Sequence, residues 1–329
     1  MKKLIKTILI LLFTSIISYA AVICIALALH INGWFPDNKI LSGEGFTLLK
    51  TREIKKYSSI DVLFLGSSHV YRGVDTRLFE RSGIKAFNFG TSSQSPYNSY
   101  FLLKEYMSVV KPKYVVLDLF WGVSYGDGTE STIDLISNHE LTSTIIKMAV
   151  RTHNMVTIRN LVAVSLSRLF KPLKTIEVKQ ESLHADIYNL GGFVASGYND
   201  TEKYKQEFGH VNSKIQPPAH IQLEYINKII ALCKASNAKL MFILVPVTKE
   251  FKNKLNNYKE YTNAISDIAN KNNIVFIDYN ENRKLSLSWT NDYTDFHHLN
   301  TDGAQKFTKL LLNDFNAFLY EKQDTIASH

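Results

Sequence analysis

Two cysteines, seven prolines and fifteen glycines in 329 residues leave little room for several kinds of protein. Cys24 falls in an apolar N-terminal run and Cys233 in a stretch of amphipathic helical spacing. No disulfide framework is expected, and neither thiol sits in a nucleophile motif. There is no low-complexity tract and no internal repeat. No basic stretch is interleaved with aromatics as a nucleic-acid groove requires, so no nucleic-acid partner is expected. What is present is 45% apolar and 12% aromatic residues, enough for a full core in one large domain with appendages. The formal charge of +8 reads as lysines scattered over a solvated surface, as in Lys252-Asn253-Lys254. Attraction to anionic envelope polymers or lipid headgroups is the alternative.

The N-terminus is basic, with Lys2, Lys3 and Lys6, and no charge follows from Ile8 to Leu29. That run of about 22 residues matches the roughly 20 needed for a helix to cross a hydrocarbon core. A cleaved signal has a shorter apolar region, of about 7–15 residues, before small residues. Ser18-Tyr19-Ala20-Ala21 resembles such a site, but apolar sequence continues beyond it. The run is therefore expected to be an uncleaved signal-anchor, with cleavage as the alternative. The lysines place the N-terminus in the cytoplasm and the rest outside a single-pass cell membrane anchor, with Trp34 and Phe35 at the outer interface.

Four segments follow from the pattern: 1–35 as basic tip and transmembrane helix, 36–59 as a stalk, 60–320 as the main domain and 321–329 as a tail. In the stalk, Gly43-Glu44-Gly45 is a break and Phe46 to Lys56 a short basic helix. In the domain, Val62–Leu65, Ala86–Phe89, Tyr114–Leu119, Leu240–Val245 and Ile274–Ile277 are mostly continuous apolar runs, the pattern of parallel strands buried on both faces. Helical spacing falls between them at Asn98–Val109, Ile221–Ala235 and Tyr258–Asn270, and a closing helix runs from about Asp302 to Tyr320. This alternation predicts an α/β three-layer sandwich with a mostly parallel central sheet. Residues 125–218 break it and are expected as a helical insertion, either a lid or acceptor surface or a packing elaboration. Within it Thr142–Val150 and Asn160–Phe170 read as helices and Leu190-Gly191-Gly192-Phe193 as a loop.

Two short segments carry chemistry. Gly66-Ser67-Ser68-His69 follows the first strand, where a turn exposes a hydroxyl and aims backbone N–H groups at whatever it attacks. Ser68 is the expected nucleophile, Ser67 its rival. Asp295-Phe296-His297-His298-Leu299-Asn300 places a carboxylate three residues before an imidazole, so Asp295 could orient His298 as the base for the serine. His297 is a rival base. A metal site of Asp292, Asp295, His297 and His298 is a further reading, but one short segment rarely completes a ligand shell. No metal and no cofactor is expected. Asn300 or Asp302 could cap the last helix.

With Asn88-Phe89-Gly90 after the second strand, these motifs resemble those of the SGNH (GDSL-like) hydrolases. More narrowly the chain looks like their membrane-anchored bacterial branch, similar to the teichoic-acid D-alanine transfer protein and alginate-type O-acetylation proteins. The resemblance covers about residues 60–120 and 235–320. It implies Ser68 as nucleophile, His298 as base, Asp295 as orienter, and an oxyanion hole from the backbone N–H groups of Ser68 and Gly90. The family's third block offers an asparagine side chain to the oxyanion; here Leu117-Asp118-Leu119-Phe120-Trp121-Gly122 has none. Gln94 or Asn98 could supply the donor, or could serve the turn and helix cap after Gly90. Tyr97 and Trp121 could line an acceptor site, or pack in the core. The implied activity is acyl-ester chemistry on a cell-envelope glycan or other surface polymer. Transfer beside a multispanning acyl-delivering membrane protein, hydrolysis, and a non-catalytic scaffold are the three forms it could take.

Overall fold

The structure is a computed structural model describing residues 2–28, 44–170, 172–173, 177–197, 201–281 and 285–326. Trp34, Phe35, residues 36–43 of the expected stalk and residues 327–329 of the tail lie outside the described residues. The chain divides into two compact units, Met1–Ser42 with Thr132–Ile176, and Gly43–Ser131 with Glu177–His329.

The chain opens with α1 (Lys2–Ala28), which alone among the described residues is long and apolar enough to cross a membrane. Then come α2 (Thr47–Glu53), β1 (Val62–Leu65), α3 (Ser68–Gly73), α4 (Thr76–Arg81), β2 (Ala86–Asn88), α5 (Pro96–Val110) and β3 (Tyr114–Asp118). Helices α6 (Thr129–Asn138), α7 (Ser143–Arg151) and α8 (Met155–Phe170) follow, then short strands β4 (Glu181–Leu183), β5 (Asp186–Asn189) and β6 (Phe193–Ser196). The last stretch holds α9 (Thr201–Gly209), α10 (His220–Ala235), β7 (Lys239–Leu244), α11 (Lys249–Lys254), α12 (Tyr258–Lys271), β8 (Val275–Asp278), α13 (Trp289–Asp292) and α14 (Thr301–Ile326).

The larger unit is built on a five-stranded, all-parallel sheet in the order β2-β1-β3-β7-β8. Side chains alternate across it. Val62, Phe64, Val116, Met241 and Ile243 meet Phe79 of α4 and Ala304, Phe307, Leu311 and Phe315 of α14. Their neighbours Leu63, Leu65, Val115, Leu117 and Phe242 are equally buried on the other face, where α5 and α10 pack together. Burial on both faces explains why these strands read as unbroken apolar runs. The expected α/β sandwich is the observed fold. In this strand order the connections leave β1 and β3 in opposite directions, and the crevice at their carboxyl ends is where open α/β sheets place ligands.

Three features differ from the sequence reading. The part of the stalk that is described, residues 44–59, is built into the larger unit. Lys50, Glu53 and Ile54 are buried, and Glu53 accepts hydrogen bonds from Tyr188 Oη, Gly191 N and Tyr57 Oη. The insertion is not one body either, since residues 132–176 belong to the smaller unit and 177–218 to the larger. Finally, Leu190-Gly191-Gly192-Phe193 is the tight turn of a hairpin, with β5 pairing antiparallel to β4 and β6. Gly192 has φ +87°, and a Cβ there would lie 2.0 Å from the Asn88 carbonyl oxygen. Only glycine lets this turn press against the end of β2.

Candidate active site

β1 ends at Leu65 and the chain turns at Gly66 into α3. A side chain at Gly66 would collide with Val70 Cγ2 at 2.5 Å and Asp118 Cβ at 2.9 Å. The turn is therefore closed to any other residue. Ser67 is the N-cap of α3: its hydroxyl accepts from the His69 backbone N–H at 3.4 Å and contacts His69 Nδ1 at 3.1 Å. It is buried. Ser68, one residue on, is partly exposed, and its Oγ lies 2.7 Å from His298 Nε2. Of the two serines, only the second reaches an imidazole of the C-terminal block.

His298 is presented by a pinned loop. A bridge between Tyr293 and Leu299 closes it, Thr294 N donates to His298 O at 2.9 Å, and Tyr293 Oη donates to Val247 O at 2.9 Å. Asn300 Oδ1 accepts from Gly303 N at 3.0 Å and caps α14, as its position suggested. Within the loop, Asp295 Oδ1 accepts the backbone N–H groups of His297 and His298, each at 2.7 Å, and Oδ2 lies 2.7 Å from His298 Nδ1. Burial alone would raise the pKa of Asp295. The His298 and His297 imidazoles and these hydrogen bonds outweigh it and hold the carboxyl far below the usual range. An ionised carboxylate only accepts, so Nδ1 of His298 carries the proton and Nε2 is left to accept from Ser68.

His297 turns away from the serine. Its Nδ1 lies 3.1 Å from His69 Nε2, and His69 stacks on Phe120 with ring centroids 3.7 Å apart. Burial, then repulsion from His298, pushes the His297 pKa down to about 3, and the same two causes take His69 well below its ordinary value. Both rings are neutral, so one proton serves the contact between them. Ring nitrogens of His69, His297 and His298 lie within 4.8 Å of one another and are the side chains here that could hold a metal ion. The other expected metal residue, Asp292, is occupied elsewhere, accepting from Ser288 N at 2.8 Å and Lys306 Nζ at 2.7 Å.

The remaining expected site residues fare less well. Gln94 Nε2 donates to Ser99 Oγ at 2.9 Å while its Oε1 accepts from Thr91 Oγ1 at 2.9 Å. Asn98 completes the capping box of α5 with Ser95, and its Nδ2 donates to Gly128 O at 3.1 Å. Neither amide is a third oxyanion donor; both secure the turn after β2. The Gly90 N–H, the expected second donor, is aimed at Asn88 Oδ1 at 3.1 Å. Ser68 N–H, at the first turn of α3, has no acceptor among the described residues. Tyr97 has no exposed surface, sitting against Phe101 and Tyr225, and Trp121 is packed among Phe120, Phe251, Tyr258 and Tyr261. Both are core residues and line no open acceptor site.

Four residues to which the sequence reading gave no role of their own matter here. Asn88 Nδ2 donates to Val70 O and Val74 O at 2.8 and 3.0 Å, clamping α3, the helix that carries Ser68, to the end of β2. Lys50 Nζ donates to Gly90 O at 2.6 Å and lies over the Tyr71 ring. His69, next to the serine in sequence, is the third imidazole. Asp118, at the carboxyl end of β3, accepts from Val245 N at 3.1 Å through Oδ1, while Oδ2 is buried without a partner. Burial pushes its pKa up to about 7.

Several solved structures resemble the chain at low identity. One is a candidate acylhydrolase from Bacteroides fragilis, 14% identical, covering 85% of this chain and 100% of its own, with a TM-score of 0.42. A GDSL-like lipase from Bacteroides thetaiotaomicron is 14% identical over 78% of this chain and 88% of its own, at 0.38. A psychrotrophic Pseudoalteromonas esterase, solved inhibited by monoethylphosphonate, is 10% identical over 80% and 100%, also at 0.38. A protein-family model matches residues 203–320. No curated protein matches the chain in sequence.

Proposed function

We propose that this chain is a membrane-anchored serine acyl-ester enzyme that transfers O-acyl groups to a cell-envelope glycan or surface polymer through an acyl-serine intermediate. The observation that carries the reading is the unbroken relay Ser68 Oγ, His298 Nε2, His298 Nδ1, Asp295 Oδ2, with 2.7 Å at both contacts. His298 takes the Ser68 proton as Oγ attacks an acyl carbonyl, and Asp295 stabilises the imidazolium that forms. The imidazolium then protonates the departing alcohol. A second alcohol, deprotonated by the same Nε2, attacks the acyl-serine and releases Ser68. When water takes its place, the outcome is hydrolysis. The Ser68 N–H is the donor placed for the oxyanion. A donor of this kind contributes about 2.7–4 kcal/mol, so a site with fewer donors is a slow one unless substrate or a partner supplies another.

The anchor is α1, with the larger unit on the extracytoplasmic side, and a multispanning membrane protein that delivers the acyl group is the partner this chemistry calls for. The testing experiment is labelling of the full chain with a fluorophosphonate, locating the adduct by peptide mass spectrometry. Labelling at Ser68 that disappears in His298→Ala is expected. A folded chain that takes no label at Ser68 refutes the serine mechanism and leaves a scaffold. With an acyl donor present, acyl appearing on an added glycan rather than as free acid separates transfer from hydrolysis.

A further inference from the structure

We infer that α7 and the ends of α8 form a second membrane contact, a cation-bearing amphipathic helix pair that lies on the anionic headgroups of the bilayer that α1 crosses. The inference rests on the reading of α1 as an anchor. From Leu141 to Ile176 the sequence holds no aspartate or glutamate, although the chain has 30 of them. The same stretch carries Lys147, Arg151, Arg159, Arg168, Lys171 and Lys174.

Among the described cations, Lys147 and Arg151 are exposed, while Arg168 is partly buried and donates to Ile136 O and Ser137 O. In α7, Ile145, Met148 and Ala149 are buried, and the opposite strip presents Ile146 and Val150 beside Lys147 and Arg151, all exposed. At the two ends of α8, Met155 is 68% exposed and Leu169 75%. Apolar side chains left in water beside cations, with no acid among them, are the composition of a helix that lies in a bilayer interface.

The same unit shows where that interface lies. α8 contacts α1. Helix α1 is exposed from Lys2 to Tyr19 and becomes buried at Ile23, towards its C-terminal end. With a basic N-terminus held in the cytoplasm, that end emerges on the outer surface. The α7–α8 pair is thus joined to the anchor near the level of the outer headgroups, where Ile146, Val150 and Met155 can enter the acyl boundary and Lys147 and Arg151 can meet phosphate. Each Lys or Arg near an anionic surface favours contact about fivefold. Such a contact fixes the direction in which the segment leaves the membrane.

The test uses the full chain with Cys24→Ser and Cys233→Ala, carrying an environment-sensitive fluorophore at Val150→Cys in one sample and Phe13→Cys in another. Each is reconstituted into phosphatidylcholine vesicles with or without phosphatidylglycerol. Both labels are expected to be quenched by acyl-chain-brominated lipid. Lys147→Glu with Arg151→Glu, or high salt, should return the Val150 label to water and leave the Phe13 label unchanged. A Val150 label open to aqueous quencher in every vesicle, with Phe13 quenched by lipid, overturns the inference and leaves the anchor standing. A Val150 label shielded from both quenchers overturns it in favour of a protein contact. Failure of lipid to quench Phe13 overturns the anchor and the inference with it.

Discussion

Replacing Asp118 by asparagine tests how the carboxyl ends of β1 and β3 are held together. Asp118 is 3% exposed, lies against the Gly66 turn and has one oxygen without a partner. Desolvation raises its pKa, only partly offset by backbone N–H groups of Val245 and Phe120, from 3.8 to about 7. Between those values the folded protein keeps a proton that the unfolded chain has released. The stability tied to this group is therefore complete below about pH 4, falls as pH rises, and reaches its floor above about pH 7. A gap of about three pH units at ~1.36 kcal/mol each makes the fall about 4 kcal/mol. Asparagine does not titrate. Its amide keeps the acceptor for Val245 N–H and leaves its NH2 poorly paired, an offset of about 1–3 kcal/mol that is the same at every pH. The assay is thermal unfolding of wild type and Asp118→Asn from pH 4 to pH 8. Other groups titrate alike in both, so the difference between the curves isolates Asp118. Asp118→Asn is expected to gain on wild type by roughly 8–16 °C across that range, at about 2–4 °C per kcal/mol for a unit of this size. Parallel curves would refute the buried, proton-holding carboxyl.

Ser68→Ala should abolish fluorophosphonate labelling and turnover while shifting the melting temperature by less than about 2 °C, since it removes one partly exposed oxygen. Ser67→Ala should keep the label at Ser68 and lower stability by about 0.5–2 kcal/mol, the loss of an N-cap, as read by urea unfolding. If Ser67→Ala is the inactivating change, the assignment of the two serines is reversed. Asp295→Asn should reduce the labelling rate by several orders of magnitude, because an amide NH2 facing Nδ1 favours the wrong tautomer of His298. Trp121→Ala should destabilise the larger unit by about 3–5 kcal/mol, as core truncation does. A folded Trp121→Ala with only a raised KM would restore the residue to the acceptor site.

The parallel sheet and its helices were legible because burial on both faces leaves a run of apolar residues in the central strands, as in Val62–Leu65 and residues 240–244. The Ser68, Asp295 and His298 positions were legible because each sits beside a chain reversal with little freedom: Gly66 before the helix, Asn300 capping the next. What was hidden depends on partners distant in sequence. Lys50 and Glu53 read as members of a short basic helix in a stalk, and only Gly90, Tyr188 and Gly191 show why they are buried. The strands β4 to β6 are three or four residues each, too short to alternate visibly, and their glycine turn gives the signal of a loop. Tyr97 and Trp121 illustrate the limit for aromatics: the same ring serves a core or a ligand, and sequence does not reveal which side chains surround it. His69 was visible as a neighbour of Ser68, but its contact with His297 spans 228 residues.

The contact between Ser68 and His298 closes a loop of 230 residues. A ribosome adding about 5–20 residues per second makes Ser68 some 10–50 s before His298. Throughout that interval the emerging chain carries only an ordinary serine hydroxyl, whatever esters surround it. The Ser68–His298 contact comes into being only when the loop before α14 is made and the sheet is already able to receive it.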